Sequence, residues 1–337
     1  MVRTAEIVLE YQNTIAQPPV PPGALLQQAC SNDQQTVVAW KDQWIAQAKA
    51  NKERVGAFAD HGIGKLHGKH QYMPAIIAGS GPSLAGNAEK LKDRGGIPLI
   101  SCLHNFHFLE DLGVKADYYV SLDAGAVTIG EVSEGGKLSE EEYWARTQDH
   151  TLLCYIGTHP DLLKKWRGKV YFFNCPVPDA QTRDGLEQVE RFNTHIGTGG
   201  NVLGACLYIA KGIFGCGAIA FVGADFCFSY KNKFHGWDSK YDANVGQCVP
   251  LTDVFGVKRK TWPTYANFKA WFDNVAVTVP GTYYNCSEGG CLGSYPEGNI
   301  SAFKYCDLVQ FFEIFHMNNH TKYQCENPET TNVVMLF

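Results

Sequence analysis

The stretch IIAGSGPSLAG at residues 76–86 decides how the rest of the chain is interpreted. An apolar run that ends in two glycines, two serines and a proline is typical of a buried parallel strand that turns sharply into a helix. The backbone N–H groups of such a turn, together with the positive end of the following helix, favour a bound anion. We therefore predict an anion-binding turn formed by Gly79, Ser80, Gly81, Pro82 and Ser83.

Further apolar runs alternate with helical segments on the C-terminal side of this turn. The predicted strands are IPLISC (97–102), ADYYVSLD (116–123), TLLCYIG (151–157), KVYFFNC (169–175) and AIAFVGAD (218–225), and residues 82–95 are predicted as one helix. Alternating strands and helices indicate an α/β fold with a doubly wound, mostly parallel, Rossmann-like sheet.

Changes in composition and in the pattern of apolar residues divide the chain into three parts. We expect a mostly helical N-terminal extension at 1–70, a Rossmann-like nucleotide-binding domain at 71–300, and a C-terminal helix and tail at 301–337. Within the extension, PPVPPG at 18–23 predicts a stiff non-helical connector. SND at 31–33 predicts the cap of a following amphipathic helix.

Composition restricts the partners and the compartment. The 337 residues carry a net charge of −5 and 45% apolar residues, which gives no reason to expect a nucleic-acid partner. No window is apolar enough for a membrane span, and the N-terminus does not resemble a signal peptide. Twelve cysteines without a Cys-x-x-Cys pair favour a reducing, cytoplasmic setting over zinc binding. Oligomerisation as a homo-oligomer stays open.

The sequence disfavours a dinucleotide as the anion and contains no P-loop, and a purely structural strand-to-helix turn is the alternative to an anion site. The third glycine of the dinucleotide fingerprint is replaced by Leu84, no acidic residue ends the second strand, and no G-x-x-x-x-G-K-[ST] motif occurs. Other polar residues follow the predicted strands, where ligands of open α/β sheets bind. These candidate nucleotide-binding residues are Asn105, Asp123, Asp225 and the Thr198-Gly199-Gly200 turn.

Three segments carry a family resemblance: AIIAGSGPSL, ISCLHNFHFLEDLGVKADYYVSLD and GTGGNVLGACLYIAKGIFGCGAIAFVGADF. In order and spacing they resemble the motility accessory factor family of flagellin-modifying proteins, whose central domain is similar to bacterial sialyltransferases. The resemblance implies a transferase with a CMP-activated sugar of the sialic-acid type as donor, contacted by Ser80, Gly81, Ser83 and Asn105. It requires no cofactor, and the acceptor stays unidentified.

Two alternatives stay open. The archaeal 6-hydroxymethylpterin diphosphokinases form a related branch, and their pyrophosphoryl transfer from ATP would need Mg²⁺, for which Asp117, Asp123 and Asp225 are the candidate ligands. The second alternative is a non-catalytic nucleotide-binding module. A pair of histidines, His104 and His107, has helical i, i+3 spacing but lacks a third ligand, so we predict no metal site there.

Glycosyl transfer needs a base that removes the proton of the acceptor hydroxyl, and histidine suits this role at neutral pH. His235 is the first candidate, because sialyltransferase relatives carry their catalytic histidine in a loop after the corresponding strand. His159, at a strand end in GTHPD, is the second.

Overall fold

A computed structural model of the chain describes residues 22–177, 179–192, 194–237, 248–294 and 302–317. The predicted α/β architecture is confirmed. Eight strands of the described residues form one parallel sheet.

The strands of the main sheet are short and mostly buried. They are β1 (Pro74–Ala78), β2 (Leu99–Cys102), β3 (Tyr118–Ser121), β4 (Thr151–Tyr155), β5 (Lys169–Phe173), β6 (Ala218–Val222), β9 (Thr282–Asn285) and β10 (Lys304–Tyr305), in the spatial order β10-β9-β6-β1-β2-β3-β4-β5. β7 (Val249–Thr252) and β8 (Lys258–Thr261) form a separate antiparallel hairpin. β1 is the central strand, with Ile77 opposite Ile100 of β2 and opposite Phe221 of β6. Such apolar runs suit strands that are covered on both faces.

Helices connect the strands and cover the sheet. The α-helices are α1 (Pro22–Val55), α2 (Leu84–Asn87), α3 (Phe106–Leu112), α4 (Val127–Gly130), α5 (Glu140–Arg146), α6 (Pro160–Lys165), α7 (Ala180–Val189), α8 (Val202–Tyr208), α9 (Pro263–Thr278) and α10 (Leu308–Met317). α8 continues as a π-helical segment, Ile209–Ile213. None of the helices in the described part of the chain is both long and apolar enough to cross a membrane.

The strand order reverses beside β1. From β1 the chain adds β2 to β5 on one side, and then crosses back to place β6 on the other. This reversal is the topological switch point of a doubly wound sheet, and ligands of such sheets bind beyond the carboxyl ends of the strands at that point. The two loops at this point are Gly79–Ser83 after β1 and Gly223–Asp225 after β6.

The prediction of one regular helix at 82–95 is wrong. The segment forms only the short α2 and then a 3-10 stretch, Ala88–Asp93. Gly86 and Asn87 are weak helix formers. The side-chain Nδ2 of Asn87 donates a hydrogen bond to the carbonyl of Ser287 at 2.9 Å, which competes with a regular helix here. The turn is therefore not followed by a long helix whose dipole could help to bind an anion.

The N-terminal extension also differs from expectation. Its helix α1 begins at Pro22, within the predicted connector and well before the predicted cap at Ser31. Proline is well tolerated in the first turn of a helix, where its missing N–H has no intrahelical partner. The rest of the predicted connector lies outside the described residues. α1 packs against α6, α7 and α9, so it belongs to the body of the protein.

The C-terminal part supplies the last strand of the sheet. β10 lies after residue 300 and pairs with β9 in parallel, so the segment predicted as a helix and tail also extends the sheet. The domain boundaries at 70 and 300 themselves stay predictions.

Candidate functional site

A cavity of about 720 Å³ follows the carboxyl ends of the strands. Its floor is formed by the residues that end or follow β6, β1, β2, β3, β4 and β5, which are six neighbouring strands. With strands about 4.8 Å apart, this floor spans about 24 Å. The length suits a nucleotide and a second substrate placed end to end.

The two loops at the switch point are packed directly against each other. The N–H groups of Gly79 and Gly81 donate to the carbonyls of Val222 and Gly223, both at 2.8 Å. A Cβ on Gly79 would lie 2.6 Å from the Gly223 carbonyl oxygen, and one on Gly81 would lie 2.7 Å from the same atom. Gly223 has a φ of +64°. The glycines of the signature stretch therefore let the two loops touch.

Asp225 fills the turn that was predicted to bind an anion. Its Oδ2 accepts from the N–H of Ser83 at 3.0 Å and from the Ser83 hydroxyl at 2.8 Å. Burial raises the pKa of this carboxyl to about 6, against the lowering effect of the Ser83 hydrogen bonds and of Arg259. Both donors of Ser83 are thus bound by the protein's own carboxylate. Ser80 and Gly81 face the cavity, whereas Gly79, Pro82 and Ser83 do not line it.

His235 lies over the same turn and lines the cavity. Its Nδ1 is 3.1 Å from the carbonyl oxygen of Ser80. A carbonyl only accepts, so Nδ1 carries the hydrogen and Nε2 is the atom able to accept a proton. The ring stacks on Trp237 with 4.9 Å between ring centroids, and it meets His104 edge-on at 4.4 Å. These contacts fix the orientation of the imidazole.

Asn105 supports the turn from below the cavity. Its Nδ2 lies 3.1 Å from the Ala78 carbonyl, 3.2 Å from the Gly79 carbonyl and 3.0 Å from the Ser101 hydroxyl. The side chain is fully buried and is not part of the cavity lining within the described residues. The structure thus places Asn105 behind the turn, and its predicted contact with a donor stays untested.

The second predicted turn opens α8 beside the cavity. Thr198 and Gly200 line the cavity, and the Thr198 hydroxyl accepts from the Gly200 N–H at 3.2 Å. Gly199 has a φ of +55° and packs against the ring of Trp271. Asn201 caps α8 by accepting from the Gly204 N–H at 3.0 Å.

Not all of the candidate acids meet at this edge. Asp123 is exposed at the cavity, with its Oδ1 accepting from the Gly125 N–H at 2.7 Å. Asp117 precedes β3 and accepts from the Leu99 N–H at 2.8 Å, so it lies at the opposite, amino end of the strands. The proposed trio of Asp117, Asp123 and Asp225 is therefore wrong, because the length of β3 separates Asp117 from Asp123 and Asp225, which both line the cavity.

The remaining histidine predictions concern His159 and the pair His104 and His107. His159 caps α6, with Nδ1 accepting from the Asp161 N–H at 3.2 Å, and it does not line the cavity. His107 Nδ1 lies 3.2 Å from the Glu131 carbonyl, and burial lowers its pKa. Among the described residues, no group of three or more His, Cys, Asp or Glu side chains could hold a metal ion.

Sequence reasoning missed the aromatic walls of the cavity. One part of the lining comes from Trp40 and Trp44 of α1, and another from Trp262, Tyr265 and Phe268. In sequence, Trp40 and Trp44 show only helical apolar spacing, which looks the same for a core face and for a cavity wall. Their place beside the strand ends depends on tertiary packing.

The lining is acidic. Its charged side chains among the described residues are Asp123, Glu131 and Asp225, together with the histidines His104 and His235, and it contains no lysine or arginine. A ligand with many negative charges would therefore need a cation to accompany it.

Residues 51–231, more than half of the chain, match the family model described as 6-hydroxymethylpterin diphosphokinase MptE-like. The chain belongs to the MptE-like family. This membership confirms the predicted relation to the pterin diphosphokinase branch. None of the curated proteins matches the chain.

A solved structure shares the fold. The "MAf glycosyltransferase from Magnetospirillum magneticum AMB-1" superimposes on this MptE-like chain with a TM-score of 0.57 and 17% sequence identity. The match covers 79% of this chain and 38% of the larger protein, so the chain corresponds to little more than a third of that structure. This finding confirms the resemblance to motility accessory factors at the level of the fold.

Proposed function

We propose that the protein is a glycosyltransferase that uses a CMP-activated sugar of the sialic-acid type. The observation that carries this proposal is the hydrogen bond from His235 Nδ1 to the Ser80 carbonyl, which holds a histidine base over the switch-point turn inside the cavity. The fold shared with a MAf glycosyltransferase supports the same reaction class.

In the proposed reaction, His235 Nε2 takes the proton of the acceptor hydroxyl as that oxygen attacks the anomeric carbon. The bond from the anomeric carbon to the phosphate oxygen breaks, and CMP leaves with the electron pair. The developing positive charge on the sugar is of the oxocarbenium type. Ser80, Gly81, Thr198 and Gly200 line the cavity and are the candidate contacts of the phosphate. CMP is a good leaving group, so the step requires no metal.

The charge of the cavity favours this donor over a nucleoside triphosphate. A CMP-sugar carries a single phosphodiester charge, plus a carboxylate when the sugar is a sialic acid. The described lining offers carboxylates and imidazoles without lysine or arginine. ATP would bring several more negative charges into the same space, and its binding there would depend on Mg²⁺.

The second candidate is pyrophosphoryl transfer from ATP to a hydroxymethylpterin, which the family match favours. Mg²⁺ is commonly held by one or two carboxylates together with the phosphates of the substrate. Asp123 and Glu131 are the lining carboxylates that could take this role, because the Oδ2 of Asp225 is already bound to Ser83. The ion would neutralise the phosphates of ATP.

Thermal shifts with CMP, CDP and ATP, each with Mg²⁺ and with EDTA, test the two candidates. A ligand at 100 times its Kd stabilises the protein by about 2.7 kcal/mol. Glycosyl transfer predicts a cytidine response that persists in EDTA. An adenine response that needs Mg²⁺ would support the diphosphokinase candidate instead.

Variants of the two candidate histidines test the base. Asn at position 235 keeps a donor for the Ser80 carbonyl but cannot accept a proton, so His235→Asn should retain CMP binding and lose about 10²–10⁴-fold in turnover. His159→Asn preserves the cap of α6 because asparagine is a good N-cap residue. A comparable loss in His159→Asn alone would transfer the role of base to His159. Retained CMP binding without product from any donor would indicate a binding module.

A further inference from the structure

The cavity has an aromatic end that the proposed transfer step does not use. We define it by Trp40, Trp44, Ser121, Asp123 and Tyr155, which line the cavity beyond β2. Trp40 and Trp44 are four residues apart and so lie on one face of α1. The ring of Trp44 meets that of Tyr155 edge-on, with 5.9 Å between ring centroids.

α1 is fastened over this end by buried side-chain amides. The Nδ2 of Asn51 donates to the carbonyls of Ile156 and Thr158, both at 2.9 Å. The Nε2 of Gln47 donates to the Ala124 carbonyl at 3.1 Å. Gly157 permits the close approach, since a Cβ there would lie 2.6 Å from the Tyr155 ring and 3.4 Å from the Cα of Trp44. The aromatic end is therefore a rigid wall, formed before any ligand arrives.

Two buried hydroxyls in this wall lack partners. The side chains of Ser121 and Tyr155 are each 3% exposed. Within the described residues, neither Ser121 Oγ nor Tyr155 OH has a hydrogen-bond partner. Buried polar atoms are nearly always paired, so two unpaired hydroxyls on a cavity wall indicate a ligand that pairs with them.

The chemistry of this ligand follows from the wall. The described lining has no lysine or arginine, which disfavours an anionic group at this end. Asp123 contributes an exposed carboxylate, which accepts hydrogen bonds from hydroxyl groups. Indole faces carry negative charge density and attract the positively polarised C–H groups of a sugar ring. Together these groups suit a flat, neutral ring that carries hydroxyls.

We propose that the aromatic end binds the pyranose ring of a neutral sugar acceptor, stacked on the tryptophans of α1 and hydrogen-bonded to Ser121, Tyr155 and Asp123. The proposal rests on the proposed glycosyl transfer, because it supplies the acceptor that His235 deprotonates. Trp40 and Trp44 precede residue 51, where the family match begins, so acceptor choice would be a property of this chain and not of the family core.

Saturation-transfer NMR with methyl β-D-glucopyranoside and methyl β-D-galactopyranoside tests this subsite. The wild-type protein should saturate the ring C–H protons of at least one glycoside. Tyr155→Phe removes a single hydroxyl and should weaken that binding about tenfold. Trp44→Ala should abolish the signal, whereas Val38→Ala, at an exposed position of α1, should leave it unchanged. No glycoside signal in the wild type, or equal signals in all three variants, would overturn the proposal.

CMP thermal shifts on the same proteins separate this proposal from the proposed function. Retained CMP shifts in Tyr155→Phe and Trp44→Ala, together with lost glycoside binding, support an acceptor subsite. Loss of the CMP shift in these variants would place the nucleotide at the aromatic end and overturn the proposal. Glycoside binding that depends on Trp44 and Tyr155, in a wild-type protein without a CMP response, would support the sugar subsite and reject the CMP-dependent transfer.

Discussion

The carboxylate of Asp225 accepts both the backbone N–H and the hydroxyl of Ser83, a residue 142 positions earlier in the chain. This pair of hydrogen bonds joins the loop after β6 to the loop after β1 across the switch point. Two donors of the signature stretch 76–86, the N–H and the hydroxyl of Ser83, are therefore already occupied by a carboxylate of the protein itself. In the proposed function, Ser83 is therefore not available to the phosphate of the donor, and Ser80, Gly81, Thr198 and Gly200 are the candidate contacts.

Asp225 should make stability depend on pH. Its folded-state pKa of about 6 lies above the unfolded value near 3.9, so the folded protein binds more protons between these pH values. Its contribution to the free energy of unfolding therefore falls as the pH rises from about 4 to about 6, by about 3 kcal/mol in all. Asp225→Asn lacks this slope, so its stability relative to wild type should increase over that range in urea unfolding. A constant difference between the two proteins would show that Asp225 titrates normally.

Ser83→Ala should move the titration of Asp225 further from its ordinary range. The hydroxyl of Ser83 favours the ionised carboxylate, so its removal raises the pKa of Asp225 above about 6. The carboxyl resonance of Asp225, followed by NMR through a pH titration, reports this directly. Ser133→Ala provides a control, because Ser133 lies in a different turn between α4 and α5. An unchanged titration in Ser83→Ala would mean that the backbone N–H alone stabilises the carboxylate.

Gly81→Ala should disrupt the contact between the two loops. The added methyl group would overlap Asp225 Oδ2 and lie 2.7 Å from the Gly223 carbonyl oxygen, and both neighbours are held by hydrogen bonds. We expect a loss of about 2–4 kcal/mol in the free energy of unfolding. Gly86→Ala is the matched control, because no atom lies within 4 Å of its Cβ position. It should leave stability unchanged or raise it slightly, since alanine favours helix. Equal behaviour of the two variants would contradict the packing described for the loops.

Asn51→Ala should loosen α1 from the body of the protein. It leaves the carbonyls of Ile156 and Thr158 buried without this donor, at a cost of about 1–3 kcal/mol for each unsatisfied group. Hydrogen exchange should then accelerate in α1 more than in β1 or β6. Lys49→Ala, an exposed position of the same helix, should leave exchange unchanged. Uniform acceleration through all elements would indicate global destabilisation instead of a detached helix.

The sheet could be predicted from sequence because its strands are buried on both faces. Runs such as AIIA and AIAFV have no polar alternation, and this pattern suits few structures other than a parallel sheet. The structure of the segment after Ser83 was harder to predict, because the side chain of Asn87 donates a hydrogen bond to Ser287, which lies 200 residues away. No local pattern contains that contact.

The candidate site was predictable only where it follows from strand order. Ser80, Asp123 and Asp225 follow strands of one parallel sheet, which is enough to bring them to one edge. The pairing of Asp225 with Ser83, and the walls formed by Trp40 and Trp44, depend on how separate segments pack. His235 was found through family resemblance, and the carbonyl of Ser80 that orients it could not be seen in the sequence.

The central position of β1 has a consequence for synthesis of the chain. One edge of β1 pairs with β6, which begins about 140 residues after β1 ends. At about 5–20 residues per second, a ribosome needs about 7–28 s to make that stretch. Throughout this interval the nascent chain exposes an apolar strand with an unpaired edge, a template for pairing with other chains. We expect newly made protein to aggregate at this stage unless a chaperone covers β1 until β6 emerges.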